Sequence, residues 1–528
     1  MKNKSKIYFA ASLIILSGVC GGCTHDFEET NTDPNKMLVG ELQPYGMFES
    51  LFYSTAKNNT YYAYYWCDEL VQFTACTSLS GQERHRYKIT DNQFSSVWSN
   101  YATKAGNAVH MYKLAEKFKD DACKAVALTL KVYLLSNLTD LYGDIPYSEA
   151  YQGDNGIDHP KFDSQKEVYE QMFAELETAN ELYASKPKFE KGTMDLMYAG
   201  DMAKWRKFNN SIYLRLLCRV SGRPEMKSGE KMQEMLDNPS KYPVFESNGD
   251  NATVRNTGVD PYYNHFRPID IDQSKFSSSS YLIAEQFLKM TLNYEGSKVE
   301  QDPRLTTWAI KRSGVDDWKG TIAGCQPEDG GVAGKDASFL NYNVLVRDDA
   351  HAFLMDYSEV QFILAEAALK GLITGGETAA RDYYENAVAA SCYKWAEYEQ
   401  YSKVKAPIDE QNVTKFLNGN LAGWDNNPNK EKLICEQKFL SLFWVGMEAY
   451  HELRRTGWPV LTMGEGTYFN NYQLPQRFAY CITTTGTNPQ HVAEALQRMG
   501  GENDMLTPVW WSLKAITGNF PVANPSLQ

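Results

Sequence analysis

Positive charge is scarce in this chain: 53 Lys and Arg stand against 66 Asp and Glu, a formal charge of −13 at pH 7. Nucleic acid is excluded as a partner, and so is an anionic lipid surface held by a basic face, because both need the opposite balance. Long apolar runs are missing as well. Past residue 22 nothing approaches about 18 uninterrupted apolar residues, so no later segment reads as a membrane span. Cysteine beyond residue 23 is confined to Cys67, Cys76, Cys123, Cys218, Cys325, Cys392, Cys435 and Cys481, widely and irregularly spaced. Without a C-x-x-C among them, a zinc ribbon or a dense disulfide framework is excluded, and no pair is named.

Catalytic signatures are also absent. His451-Glu452 has no second histidine four residues after the first, which rules out a zincin site. The stretch GGVAGKDA only imitates a phosphate loop. Asp329 stands where the first glycine belongs, and Asp336 replaces the Ser or Thr that would hold magnesium. There is no G-x-S-x-G elbow. Asp140, Asp144 and Glu149 could in principle supply a glycosidase's paired carboxylates, and turn capping is the better account of such residues in LTDLYGDIPYSEA. Glu448, Glu452, Arg454 and Arg455 read as a structural ion-pair network at a helix end. No motif calls for a cofactor or a metal, and the chain reads as a non-enzyme.

The most informative positive feature is the start of the chain. Lys2, Lys4 and Lys6 precede an apolar run from Ile7 to Val19. That run is too short for about 30 Å of hydrocarbon but fits the core of a secretory signal. Gly21 and Gly22 supply the small residues a signal peptidase needs before Cys23. Residues 1–22 therefore read as a lipoprotein signal and Cys23 as the acylated first residue of a mature chain spanning 23–528. Cys20, preceded by Val19, is the other cysteine available, and a plain secretory signal is the simpler alternative. The tether that follows carries Asp26, Glu28, Glu29, Asp33 and Pro34, polar enough to hold a folded body away from an anchor.

The body reads as mostly α-helical. Val126, Leu130, Tyr133, Leu134 and Leu138 form a 3.6-period stripe broken after Leu138 by Gly143 and Pro146. A second helix spans about Gln165 to Tyr183, and a third follows Asp201 as N-cap. Ser358 and Gln361 suggest a capping box. Val360, Ile363, Leu364, Ala367 and Ala368 then make one helical face, ended at Gly371. In the next helix Ala380, Tyr384, Ala387 and Val388 repeat the small–aromatic–small rhythm of a tetratricopeptide second helix. Residues 248–350 and 485–511 are rich in turn formers and read as loops, where binding residues tend to sit.

Tyrosine is abundant, at 34 residues. A sugar presents apolar C–H faces as well as hydroxyls, so a platform for it needs open rings with polar neighbours. In the loop region Tyr262, Tyr263, Phe266 and Trp318 are the candidates, flanked by Asp260, Asn264, Asp317 and Lys319. Trp318 ranks first because DDWKG surrounds a large ring with polar residues. Tyr61-Tyr62-Ala63-Tyr64-Tyr65-Trp66 ranks lower, since a helix would turn those rings to several faces.

Taken in order, CTHDFEETNTDPN, LTDLYGDIPYSEA, KWRKFNNSIYLRLLCRVSG, DPRLTTWA, MDYSEVQFILAEAALKG, YYENAVAAS, EQKFLSLFWVGMEAYHELRRTGWPVL and GGENDMLTPVWWS resemble the SusD/RagB family of nutrient-binding outer-membrane lipoproteins, in its SusD-like branch. The resemblance covers 23–528. It implies a scaffold of tetratricopeptide-like helix pairs under a loop-rich ligand-binding face. It further implies a lipid-anchored position on the cell surface and a TonB-dependent SusC-type transporter as partner. The ligand would be an oligosaccharide or a peptide, handed on uncleaved. Other roles for such a chain are a secreted glycoside hydrolase and a ligand-free interaction solenoid.

Overall fold

A computed structural model describes residues 42–77, 83–266, 282–326 and 334–523. The signal, Cys20, Cys23 and the acidic tether lie outside these residues.

Eight helices make the scaffold: α1 (Asp91–Phe118), α2 (Asp121–Tyr142), α3 (Gln165–Ala184), α4 (Met202–Arg219), α5 (Tyr357–Leu369), α6 (Gly376–Ala396), α7 (Lys430–Ser441) and α8 (Glu448–Thr456). They pack as consecutive pairs, α1 on α2, α3 on α4, α5 on α6 and α7 on α8, and α4 joins the two halves through α5. Local chemistry sets the ends. Lys119 takes a left-handed conformation and Asp120 caps α2 by accepting from the Cys123 N–H at 2.9 Å. Ser164 and Glu167 form a capping box on α3. Asp201 accepts from the Ala203 and Lys204 N–H groups, as its sequence position suggests. Helix α2 runs to Tyr142, four residues past the expected stop at Leu138, and ends at Gly143, whose φ of +88° would strain any side chain.

The tetratricopeptide-like rhythm of α6 is borne out: Ala380, Tyr384, Ala387 and Val388 are all fully buried. The expected Ser358–Gln361 capping box is not. Asp356 is the N-cap residue of α5, its carboxylate is engaged by Lys394 from α6, and the buried Ser358 hydroxyl has no partner. A tertiary ion pair has displaced the local motif.

The turn-rich regions hold more regular structure than their composition suggests. Strand Ala252–Arg255 pairs antiparallel with His351–Met355, and Leu292–Glu295 forms a hairpin with Lys298–Gln301. Thr74–Ala75, Leu282–Ile283, Phe339–Leu340 and Ala309–Ile310 make a small antiparallel sheet in that order. Near the C-terminus Ile482–Thr487 and Pro489–Met499 are helical. Strands this short offer too few residues for a period-2 pattern to stand out.

Candidate ligand-binding surface

A helical run from Pro44 to Leu70 lies against α1 and the strand His351–Met355. Its middle is fixed by Asn59, whose amide donates to the Phe353 carbonyl and whose oxygen accepts from the Tyr133 hydroxyl at 3.0 Å. Past this point the run widens into a π-helical turn, Ala63–Cys67, a local form that recurs at functional sites.

That geometry sorts the tyrosine-rich stretch into two faces. Tyr62 and Trp66, four apart, are buried. Tyr61, Tyr64 and Tyr65, spaced i, i+3 and i+4, share the other face and are half-buried. Tyr61 stacks on Tyr65 with centroids 4.8 Å apart and 19° between planes, and Tyr64 meets Tyr61 edge-on at 5.7 Å. His265 lies 5.0 Å from the Tyr61 ring and 5.6 Å from that of Tyr64, with its Nε2 3.4 Å from the Tyr64 hydroxyl. The Arg84 guanidinium sits 3.6 Å over Tyr65. Burial, and secondarily Lys57, pull the His265 pKa down to about 4, so its imidazole is neutral and offers one donor and one acceptor. Rings, a neutral imidazole and a guanidinium thus converge on one face.

The loop candidates divide around this surface. Tyr262 and Tyr263 are half-buried and tied to the same helical run. Tyr53 meets the Tyr262 ring edge-on at 5.0 Å and donates its hydroxyl to the Tyr263 carbonyl at 2.6 Å. Phe266 is buried behind the surface, 4.7 Å from Tyr64 and stacked on Trp444 at 6.3 Å. Trp318 departs from its expectation of an open ring. It is only 8% exposed, donates its Nε1 to Gln301 at 2.9 Å, and has Lys311 over its ring at 5.4 Å. The polar residues beside it in sequence are not what surrounds it in space. His265 and Arg84 went unnoticed in the sequence, and only the i, i+3, i+4 spacing of the tyrosines could have raised that stretch in rank.

The acidic candidates have structural duties. Asp140 accepts from the Tyr169 hydroxyl at 2.5 Å and Trp511 Nε1 at 2.7 Å. Asp144 accepts from the Gln165 N–H and Arg498 Nε, each at 2.9 Å, and Glu149 from the Lys161 N–H at 2.9 Å. The charges of α8 form the expected ion-pair network, now seen to be buried. Arg219 and Arg215 converge on Glu448, while Arg455 and Lys438 converge on Glu452. Against the upward push of burial, Arg455 and Lys438 hold the Glu452 carboxyl down to about 2. Glu366, Cys435 and Glu452 also bring potential metal ligands within 4.8 Å of one another. Arg455 already sits on both carboxylates, so the negative charge a cation would neutralise is spent. All eight cysteines among the described residues are buried.

Helix pairs in succession, one of them beside a half-open aromatic face, define a helical-repeat protein. Residues 34–481 match the SusD-like family described as starch-binding associating with outer membrane, and the chain belongs to that family. Solved structures agree. A chitin-binding protein is similar at 25% identity and TM-score 0.73, over 89% of this chain and 100% of that one. A SusD homologue from Bacteroides fragilis is similar at 25% identity and TM-score 0.71, over 89% and 98%. One from Parabacteroides distasonis shares the fold at 19% identity and TM-score 0.74, over 92% and 99%. No curated protein matches. Among the described residues no helix is long and apolar enough to cross a membrane.

Proposed function

We propose that this protein is a cell-surface, outer-membrane lipoprotein that holds an oligosaccharide and passes it uncleaved to a TonB-dependent SusC-type transporter. In this reading residues 1–22 are removed, Cys23 carries the lipid, and 23–528 form the nutrient-binding domain. The observation that carries it is the surface of Tyr61, Tyr64, Tyr65 and His265, with Arg84 behind Tyr65 and Tyr262 and Tyr263 at its margin. Tyrosine faces suit the C–H faces of sugar rings, and a neutral imidazole both donates to and accepts from hydroxyls without demanding a charged ligand. Phe266 supports the surface from beneath, its ring 4.7 Å from that of Tyr64. The family description and the chitin-binding neighbour favour glycan over peptide.

Calorimetric titration with maltotriose and triacetylchitotriose, followed by chromatography of the sugar, tests this. Binding without cleavage is expected for at least one of the two. Tyr65→Ala should weaken it by about 1–3 kcal/mol, the scale of one stacked ring. Sugar fragments in the chromatogram would favour a hydrolase, and an unchanged affinity would move the site elsewhere.

A further inference from the structure

A cleft of about 560 Å³ shares no lining residue with the tyrosine surface. Its walls are the loop before α4, the turn Asn248–Asn251, the strand pair Ala252–Arg255 and His351–Met355, and the last turns of α6. The volume lies within the range of small-molecule sites, about 300–1,000 Å³.

Among the charges lining it, Lys394 and Asp195 are already committed, while Lys204 is bonded only to a carbonyl. Lys394 is held by Asp356 and by the Ser441 carbonyl at 3.0 Å. Lys204 donates to the Gly249 carbonyl at 2.9 Å. The Asp195 carboxylate accepts from the Met197 and Gly200 N–H groups, each at 2.9 Å, and from Trp205 Nε1 at 2.8 Å. Besides Lys204, three groups are left. The Tyr393 ring is 40% exposed. The Glu397 side chain is 54% exposed. His351 Nε2 is shielded from water without a hydrogen-bond partner, 3.7 Å from the Glu397 carboxylate. The other ring nitrogen of His351 lies 2.9 Å from the Thr253 hydroxyl, which fixes the imidazole's orientation. Burial holds the His351 pKa below its ordinary range, with Glu397 and Asp349 acting upward and Arg255 downward, so the ring is neutral near pH 7.

These groups discriminate among ligand classes. An anion is repelled by Glu397 and meets a single cation without a carboxylate partner, Lys204, whose ammonium is already bonded to the Gly249 carbonyl. A purely apolar ligand covers Glu397 and His351 without satisfying them, which is the costly way to bury a polar group. An uncharged, hydroxylated ring satisfies all three, its C–H face on Tyr393 and its hydroxyls on the carboxylate and the imidazole edge.

We propose that this cleft is a second saccharide site, which takes the end of a neutral oligosaccharide with Tyr393 beneath a sugar ring and Glu397 and His351 on its hydroxyls. It rests on the glycan-binding reading above, and the two sites together give one long glycan two attachment points, raising avidity without any new contact.

The test is titration of the mature protein with maltotriose and triacetylchitotriose in wild type, Tyr65→Ala, Glu397→Gln, Tyr393→Ala and the double variant Tyr65→Ala/Glu397→Gln. Wild type should show two binding events. Tyr65→Ala should keep one, and adding Glu397→Gln should weaken that one at least about tenfold. Because Tyr393 and Glu397 reach solvent, unchanged circular dichroism should certify the fold of each variant. If Tyr65→Ala abolishes all binding while Glu397→Gln and Tyr393→Ala change nothing, the cleft is not a sugar site and the first surface stands. If neither sugar binds wild type, the glycan reading falls together with this one. Inorganic phosphate displacing sugar from Tyr65→Ala would overturn the neutral-ligand class.

Discussion

Removing Glu448 should be among the most damaging single changes in this protein, because of what it strands. Arg219 and Glu448 are 3% and 7% exposed, at the meeting of α4 and α8. Arg219 bonds Glu448 through Nη2, its Nε is 3.5 Å from Asp140, and its Nε and Nη1 have no hydrogen-bond partner. Glu448→Ala therefore leaves a buried guanidinium with one long ion contact and no hydrogen bond. Arg215, the other cation on Glu448, is buffered because Glu359 holds it at 2.5 and 2.7 Å. Stranding one partner of a buried ion pair costs about 3–5 kcal/mol, most of it the desolvation of the charge left behind. Replacing both members with apolar residues, Arg219→Met/Glu448→Met, should cost clearly less than the two single changes added, since no charge is stranded. Arg381→Ala, on an exposed pair with Asp425, should leave the unfolding curve where it was. Urea unfolding followed by circular dichroism and tryptophan fluorescence measures all three. A Glu448→Ala loss below about 1 kcal/mol, or a double variant as damaging as the sum, would refute the argument.

Trp318→Ala should lower stability by about 3–5 kcal/mol through loss of a buried ring and its bond to Gln301, while sugar affinity stays near wild type. A weakened affinity with an unchanged melting temperature would restore Trp318 to the ligand surface. Asp68 is 1% exposed with neither carboxylate oxygen partnered, and burial followed by Glu69 raises its pKa well above the usual range. Burial also lifts Glu69 to about 7, against Arg84. An acid with a raised folded pKa contributes fully below its unfolded value and loses that contribution as pH rises through the folded one. Asp68→Asn should accordingly gain stability over wild type increasingly as pH rises above about 4, the unfolded carboxyl value, and melting curves whose difference stays flat with pH would contradict this. Cys23→Ala should move the protein from the membrane to the soluble fraction on cell fractionation, and release by Cys20→Ala instead would reassign the anchor.

What the sequence disclosed and what it hid follow from the range of the interactions involved. Helices α2, α3, α4 and α6 were legible because caps and apolar stripes act within a turn or two, as Asp201 and the buried set Ala380, Tyr384, Ala387 and Val388 show. On α5 the stripe picked the right residues but understated the burial, since Phe362, Ala365 and Glu366 on its other sides are buried too. The same helix defeated the capping-box rule, because Lys394, 38 residues away, engages Asp356. Trp318 failed for a related reason. Its neighbours in DDWKG set the turn, whereas its cover comes from Gln301, 17 residues back, and from Lys311. Tyr61, Tyr64 and Tyr65 went the other way: the stretch ranked low because a helix would turn its rings to several faces, and the helix period is what gathers these three on one face apart from Tyr62 and Trp66. Their company, His265 and Arg84, arrives from two other parts of the chain, and no local pattern encodes it. A binding surface assembled this way is visible in sequence only as one element's half of the contacts, so the periodicity of an aromatic run says more about its role than the polarity of the residues next to it.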